Sequence, residues 1–176
     1  MERERYIDQA IEFAHRMFNQ ESTLLDIGCK DGYAINEFNK KGYIAEGVDI
    51  FPQQGKYRVN MVMGDFDDLS INYEVFFDNI FINHMFEHAM DSMHLAREIH
   101  MITAEGGIIF VAVPYCQDRW AWDMAIDKTH YAIFNEYFLE SIFLRAGFET
   151  IALKLYEGEP IRQPKHREVW YMGRKA

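Results

Sequence analysis

Three short stretches of the chain hold residues whose types and spacing could do chemistry. The first is INHMFEHAMDS, residues 82–92, in which the string H-x-x-E-H runs from His84 to His88. Two histidines and a glutamate so spaced can hold zinc, with Glu87 as general base toward a bound water, provided that all three share one helical face. A further ligand would have to come from elsewhere, and Glu157 and Glu168 are acids that could supply it. The second stretch is LDIGCKDG, a glycine turn with Asp26 just before it, followed downstream by Asp49 in GVDI and Asp65 in GDF. The third is YCQDRWAWDMAIDKTHYAIF, residues 115–134, where Trp120, Trp122, Tyr131 and Phe134 offer flat apolar walls and Asp118, Asp123 and His130 offer polar points. That mixture suits a pocket for a small organic molecule, although the same aromatics could also form a lid on the core.

The elements that must position these residues are alternating apolar runs. Ile7, Ala10, Ile11, Ala14, Met17 and Phe18 recur at helical spacing, which predicts an amphipathic helix lying on a sheet. TLLDIGC reads as a buried strand entering the glycine turn, AINEFNKKG as a helix stopped by Gly42, and YIAEGVDI as the next strand. RVNMVMGDF, FDNIFIN and GGIIFVAVPY follow as further apolar strands. Leu95, Ile99 and Ile102 put one apolar stripe on a helix before Gly106, with Arg97 and Glu98 turned outward and His94 and His100 solvated. NEYFLESIFLRAGF is a helix with Asn135 as its N-cap and Gly147 as its stop. ETIALKLY and REVWYMGRK have no helix between them and are expected to pair antiparallel at an edge. The pattern predicts a single α/β domain over residues 1–176: a three-layer sandwich with a Rossmann-like, mostly parallel seven-stranded sheet and an antiparallel C-terminal edge strand.

In such a sheet a ligand sits beyond the C-terminal strand ends, beside the first strand. Asp26, Asp49 and Asp65 stand at those ends, and 49 − 26 = 23 residues separate the first two. That is near the roughly 20 expected between a glycine turn and an acid that grips ribose hydroxyls. A dinucleotide would want G-x-G-x-x-G, so that a pyrophosphate can approach the helix start. This turn has only Gly28 and Gly32, with Lys30 between them, and Asp26 would repel a pyrophosphate. The same acid favours a ligand with a ribose and adenine, no phosphate, and cationic ammonium and sulfonium groups. S-adenosylmethionine is such a ligand. Taken singly, the glycines could be plain turn residues, Asp49 a helix N-cap, and the acids at 65–68 a solvated turn.

Six segments in one order cover most of the chain: LLDIGCKDGYAINEF, GVDI, MGDFDDL, FDNIFINHMFEHAMD, EGGIIFVAVP and HYAIFNEYFLESIFLRAGFE. In them the chain resembles a class I S-adenosylmethionine-dependent methyltransferase of the small type-11-like group. The resemblance implies that Gly28 and Cys29 contact the methionine part of the cofactor through their backbone, with Asp26 holding its amino group directly or through water. It implies further that Asp49 takes both ribose hydroxyls, Ile50 packs on the adenine, and Asp65 and Phe66 hold its amino edge and face. Asn83 and His84 would line the floor beneath the sulfonium, and Lys30 stands where the family has a glycine.

The H-x-x-E-H string then has another reading. FDNIFIN runs straight into His84, so that histidine belongs on a strand-to-helix turn, and the family commonly carries a pair like Glu87 and His88 at this place. No metal is expected. The expected reaction moves a methyl group to an O or N atom of a small-molecule acceptor, with the enzyme positioning the nucleophile and stripping water from it. His88 or His130 would serve as base, and Trp120, Trp122 and Tyr131 would hold the acceptor. Two rival readings are a binding or scaffold protein that keeps the fold without transferring methyl groups, and a zinc metallopeptidase.

The totals narrow the partners. Eighteen Lys and Arg against 28 Asp and Glu give a net charge of −10, an unfavourable field for nucleic acid. The basic residues Arg162, Lys165, Arg167, Arg174 and Lys175 near the end read as a solvated, edge-like tail. Cys29 and Cys116 show no paired spacing, which fits a reducing compartment. The first residues are charged and the longest apolar run is IIFVAV, so neither a signal peptide nor a membrane span is expected and a cytoplasmic location is. A chain of this size without a cap could complete its pocket as a homodimer.

Overall fold

The computed structural model describes residues 2–53, 55–115, 128–157 and 167–176. In chain order the elements are α1 (Glu2–Met17), β1 (Thr23–Ile27), α2 (Tyr33–Lys40), β2 (Ile44–Asp49), β3 (Asn60–Met63), α3 (Leu69–Asn72) and β4 (Phe77–Asn83). They continue with α4 (Ser92–Ile102), β5 (Thr103–Pro114), α5 (Glu136–Ala146), β6 (Phe148–Glu157) and β7 (Arg167–Lys175), and short 3-10 turns lie at Phe66–Asp68 and Phe86–His88. The strands form one seven-stranded sheet in the order β3-β2-β1-β4-β5-β7-β6. β3 through β5 pair in parallel, whereas β7 runs antiparallel to both β5 and β6. The antiparallel pair therefore closes that edge as expected, with β7 inserted inside it and β6 outermost.

The sheet is apolar on both faces because successive side chains alternate between two cores. Leu24, Phe81, Phe110 and Trp170 face α1 and α2, where Ala10, Ala14, Ile35 and Phe38 meet them. Leu25, Ile80, Val111 and Tyr171 face the other way, onto Leu95 and Ile99 of α4 and Leu139 and Phe143 of α5. These are the outer layers of the expected sandwich. The chain fills one side of the sheet through β2 and β3 and then crosses to β4, so the strand order reverses between β1 and β4. That reversal opens a crevice at their C-terminal ends.

Several helix boundaries follow from the caps that the sequence carries. Asn135 accepts a hydrogen bond from Phe138 N (2.8 Å), and Gly147 ends α5 with φ 106°. Asp91 accepts from Met93 N and His94 N, both at 3.0 Å, and so starts α4 immediately after the H-x-x-E-H segment. Asp91→Ala is expected to lower unfolding free energy by about 1 kcal/mol, the usual worth of such a cap, measured by urea denaturation.

Three expectations need correction. Glu98 is buried rather than outward, because its carboxylate accepts the Ser70 N–H (2.8 Å) at the start of α3. His100 is half-buried and packs edge-on against Phe148 (5.1 Å). Lys175 is also buried: its Nζ donates to the carbonyls of His100 (3.0 Å) and Thr103 (2.9 Å) and pairs with Glu105 (3.2 Å). β7 lies inside the sheet rather than at its rim, so the end of the chain is not a solvated tail; Arg162 and Lys165 lie outside the described residues. Among the described residues, no helix is long and apolar enough to cross a membrane.

Candidate active site

β1 carries Asp26 to the C-terminal end of the sheet, in register with Gly47 on β2 and Phe81 on β4, where it is 4% exposed. The chain then turns sharply. Gly28 adopts φ 84°, its N–H donates to Val48 O (2.8 Å), and a Cβ there would come within 2.7 Å of the Met85 side chain. Only glycine fits both the conformation and the space. Lys30 also adopts a left-handed conformation, φ 48°, and its side chain is exposed. Its N–H donates to one Asp49 oxygen (2.9 Å) while Phe51 N–H donates to the other (2.8 Å). Asp49 thus clamps the glycine turn to the end of β2, and each of its oxygens keeps a lone pair for a further donor.

Asp26, Gly28, Cys29 and Asn83 converge on one cleft of about 200 Å³. Among the described residues no hydrogen-bond donor reaches the Asp26 carboxylate. Burial first, and then the nearby charges of Asp49 and Asp31, push its pKa from the ordinary 3.8 up to about 8. A buried carboxyl without a partner, facing a cleft, is a site prepared for a cation. Burial and the charges of Asp26 and Asp49 also push the Cys29 thiol far up, so it stays protonated and is no nucleophile.

At the end of β4 the chain turns again through His84, which has φ 54° and whose N–H donates to Ala112 O (2.9 Å). Its Nε2 lies 2.8 Å from Glu168 Oε1, and its Nδ1 lies 3.6 Å from Glu87 Oε1. Burial alone would depress the His84 pKa; the hydrogen bonds to Glu168 and Glu87, and their charges, outweigh it and raise the pKa to about 10. His84 is therefore an imidazolium between two carboxylates, themselves only 3% and 2% exposed. It is on a turn, and His88 is on the 3-10 turn beyond, so the two histidines do not share a helical face as a peptidase motif would require.

A family model described as a methyltransferase domain matches residues 1–153. The chain belongs to this methyltransferase domain family. A search of curated proteins finds no matching sequence. Among solved structures, an S-adenosylmethionine-dependent methyltransferase from Archaeoglobus fulgidus superposes with a TM-score of 0.77 at 17% identity, over 96% of this chain and 94% of that one. One from Methanosarcina mazei gives a TM-score of 0.71 at 16% identity, over 93% and 96%. The 1,6-didemethyltoxoflavin-N1-methyltransferase of Burkholderia thailandensis, with 1,6-didemethyltoxoflavin and S-adenosylhomocysteine bound, gives 0.74 at 19% identity, over 96% and 77%. At these identities the likeness is one of fold. Family and fold agree: the chain is a methyltransferase-domain protein with the fold of S-adenosylmethionine-dependent methyltransferases.

The remaining expected residues of the methyltransferase are spread along the same end of the sheet. Ile50 is 41% exposed just past β2, Asp65 is exposed just past β3, and Phe66 is half-buried in the turn beyond it. His88 and His130 come together, ring centroids 4.8 Å apart, and Tyr131 next to them keeps 58% of its surface exposed. Trp120, Trp122, Asp118 and Asp123 lie outside the described residues. Sequence reasoning missed Ile7, Tyr33 and Lys56, which also line the cleft. Ile7 belongs to an apolar stripe that looks like pure core, yet α1 is held over α2 by Tyr33 Oη donating to Asp8 (2.5 Å) and by the Lys41–Glu12 ion pair, so its first turns reach the cleft.

Proposed function

We propose that the enzyme moves the methyl group of S-adenosylmethionine to an oxygen or nitrogen of a small-molecule acceptor, with the cofactor held along the cleft beside β1. The buried Asp26 carboxyl, which no donor among the described residues reaches, carries this reading, because the methionine ammonium is the cation that would hold its ionised form. The backbone of Gly28 and Cys29 would follow the methionine chain, and Asp49 would accept both ribose hydroxyls while keeping its bonds to Lys30 and Phe51. Ile50 and Phe66 would enclose the adenine and Asp65 its amino edge. Asn83 would form the floor near the sulfonium. His84 is engaged with Glu168 and Glu87, so in this reading it shapes the floor through its backbone turn.

Transfer itself is an in-line displacement. The acceptor lone pair forms a bond to the methyl carbon as the carbon–sulfur bond breaks, and the sulfonium leaves as a neutral thioether. His88 and His130, whose ring centroids lie 4.8 Å apart, would take an acceptor proton, and Tyr131, with Trp120 and Trp122, would give the acceptor flat apolar walls. The net charge of −10 argues for a small molecule over nucleic acid. The Burkholderia neighbour, named for N1 methylation of 1,6-didemethyltoxoflavin, supports a small-molecule acceptor.

The test is calorimetric titration of S-adenosylmethionine into the folded protein across pH. Asp26 holds a proton below about pH 8, and a bound ammonium needs it ionised, so binding must expel that proton. Affinity is expected to rise about tenfold per pH unit from pH 6 towards pH 8, and Asp26→Asn should flatten the slope. The apo protein should respond in the opposite sense: unfolded Asp26 ionises near its ordinary value, so its contribution to stability is fully present below that value and is lost as pH rises to about 8. Absence of saturable binding in folded protein at pH 8 would overturn the cofactor placement.

A further inference from the structure

We propose that Glu87, His88 and His130 form a binding site for a divalent first-row transition ion, on the acceptor side of the enzyme. One carboxylate oxygen of Glu87 and one ring nitrogen from each histidine lie within 4.8 Å of one another. This is a different set of residues from the H-x-x-E-H pair, since His84 is turned to Glu168. It also departs from the expectation of no metal.

Four observations make the cluster more than a meeting of surface residues. Glu87 is 2% exposed, and among the described residues its Oε2 has no hydrogen-bond partner, a costly state for a buried carboxylate that a cation would relieve. The other Glu87 oxygen lies 3.6 Å from His84 Nδ1, so one side of the carboxylate is turned to that ring and Oε2 away from it. His88 Nδ1 lies 2.8 Å from Thr129 O. A carbonyl can only accept, so Nδ1 carries the proton and Nε2 keeps the lone pair that a metal would use, an arrangement typical of ligating histidines. The backbone then brings His130 to the same place: Tyr131 N and Ala132 N both donate to Glu87 O, at 2.9 and 3.3 Å, while His88 N donates to Met85 O at 2.9 Å. The turn and the segment returning through residues 130–132 are thus held together independently of any ion.

Two imidazoles and one carboxylate suit zinc and its first-row neighbours rather than magnesium or calcium. A tetrahedral shell at about 2.1 Å spaces its ligand atoms by roughly 3.4 Å, so the widest pair must close by side-chain rotation when the ion enters. Three protein ligands leave at least one position open, the arrangement of catalytic rather than structural sites. The open position would take an oxygen of the acceptor, and a metal-bound hydroxyl loses its proton more readily, so with the ion present His88 and His130 hold it and solvent, not their rings, takes that proton. That use rests on the methyl-transfer reading; the ion site itself does not.

The experiment uses tag-free protein stripped with a chelator, titrated with zinc by calorimetry and with cobalt by visible absorption. Stoichiometric zinc binding and intense cobalt bands are expected, shifting when acetohydroxamate, an oxygen chelate, occupies the open position. His88→Ala and His130→Ala should each weaken zinc by more than about 100-fold, since even losing an outer-shell partner costs 10- to 100-fold. Exposed His94→Ala should leave zinc affinity unchanged. Glu87→Gln is less diagnostic because it also disturbs His84, so the two histidine variants decide. No saturable binding in folded protein, or zinc affinity kept in both histidine variants, would overturn the site; unshifted cobalt bands would overturn the open position. Titration of S-adenosylmethionine into the same samples separates the readings, since each titration reports its own site.

Discussion

Replacing Asp49 by alanine is expected to weaken S-adenosylmethionine binding by at least about 100-fold. A charged acceptor of a hydrogen bond contributes about 1.5–3 kcal/mol, two ribose hydroxyls would be lost together, and each 1.4 kcal/mol is tenfold in affinity. The same carboxylate accepts from Lys30 N and Phe51 N, so the alanine variant also loosens the glycine turn. Asp49→Asn separates the two effects: it keeps one acceptor oxygen and removes the charge, and its affinity should fall between wild type and alanine. Calorimetry gives the affinity and thermal melting shows whether the fold is kept. An alanine variant that melts normally and binds the cofactor as tightly as wild type would show that the ribose lies elsewhere.

The order of elements, the parallel sheet and the position of the cleft were legible because each rests on local signals. The glycine turn ends a buried strand, Asn135 and Gly147 bracket α5, and the sequence between the last two strands carries no helical pattern, which predicts the antiparallel pairing found. Asp26 and Asp49 could be placed at strand ends from spacing alone. Asp49 has its local role too: of its two main-chain donors, Phe51 N is two residues on and Lys30 N lies just past the paired strand β1.

What escaped the sequence was set by partners far along the chain. Glu98 looks outward on a helical wheel because the Ser70 N–H that it caps is supplied by another element. Lys175 looks like part of a basic tail until β7 is slotted between β5 and β6. Periodicity reports which face of an element is apolar, but it says nothing of a buried polar atom whose partner arrives from across the fold. His84 and Glu87 show the same limit. The letters H-x-x-E-H suggest a metal motif on one helix, yet a left-handed residue at the strand end splits the string and assigns its two histidines to different neighbours.

That split makes His84 a polar position where a single change should cost substantial stability. Glu168 and Glu87 approach it from β7 and from the turn after β4, and Glu168 also accepts from Trp170 Nε1 at 2.6 Å. Removing the imidazolium leaves two nearly buried carboxylates without the cation between them, a loss usually of about 3–5 kcal/mol. The His84 side chain keeps 29% of its surface exposed, so solvent takes up part of that charge and the lower end, about 3 kcal/mol, is expected for His84→Ala. Glu168→Gln should cost less, because the amide oxygen can still accept from Trp170, although the charge and the acceptor facing His84 are lost. The double variant should be clearly less destabilised than the sum of the singles, since each removes the same interaction. Urea denaturation of all three measures this. Additive losses, or a loss below about 1 kcal/mol for His84→Ala, would mean that the ion pair is solvated and that β4 is joined to β7 by sheet packing alone.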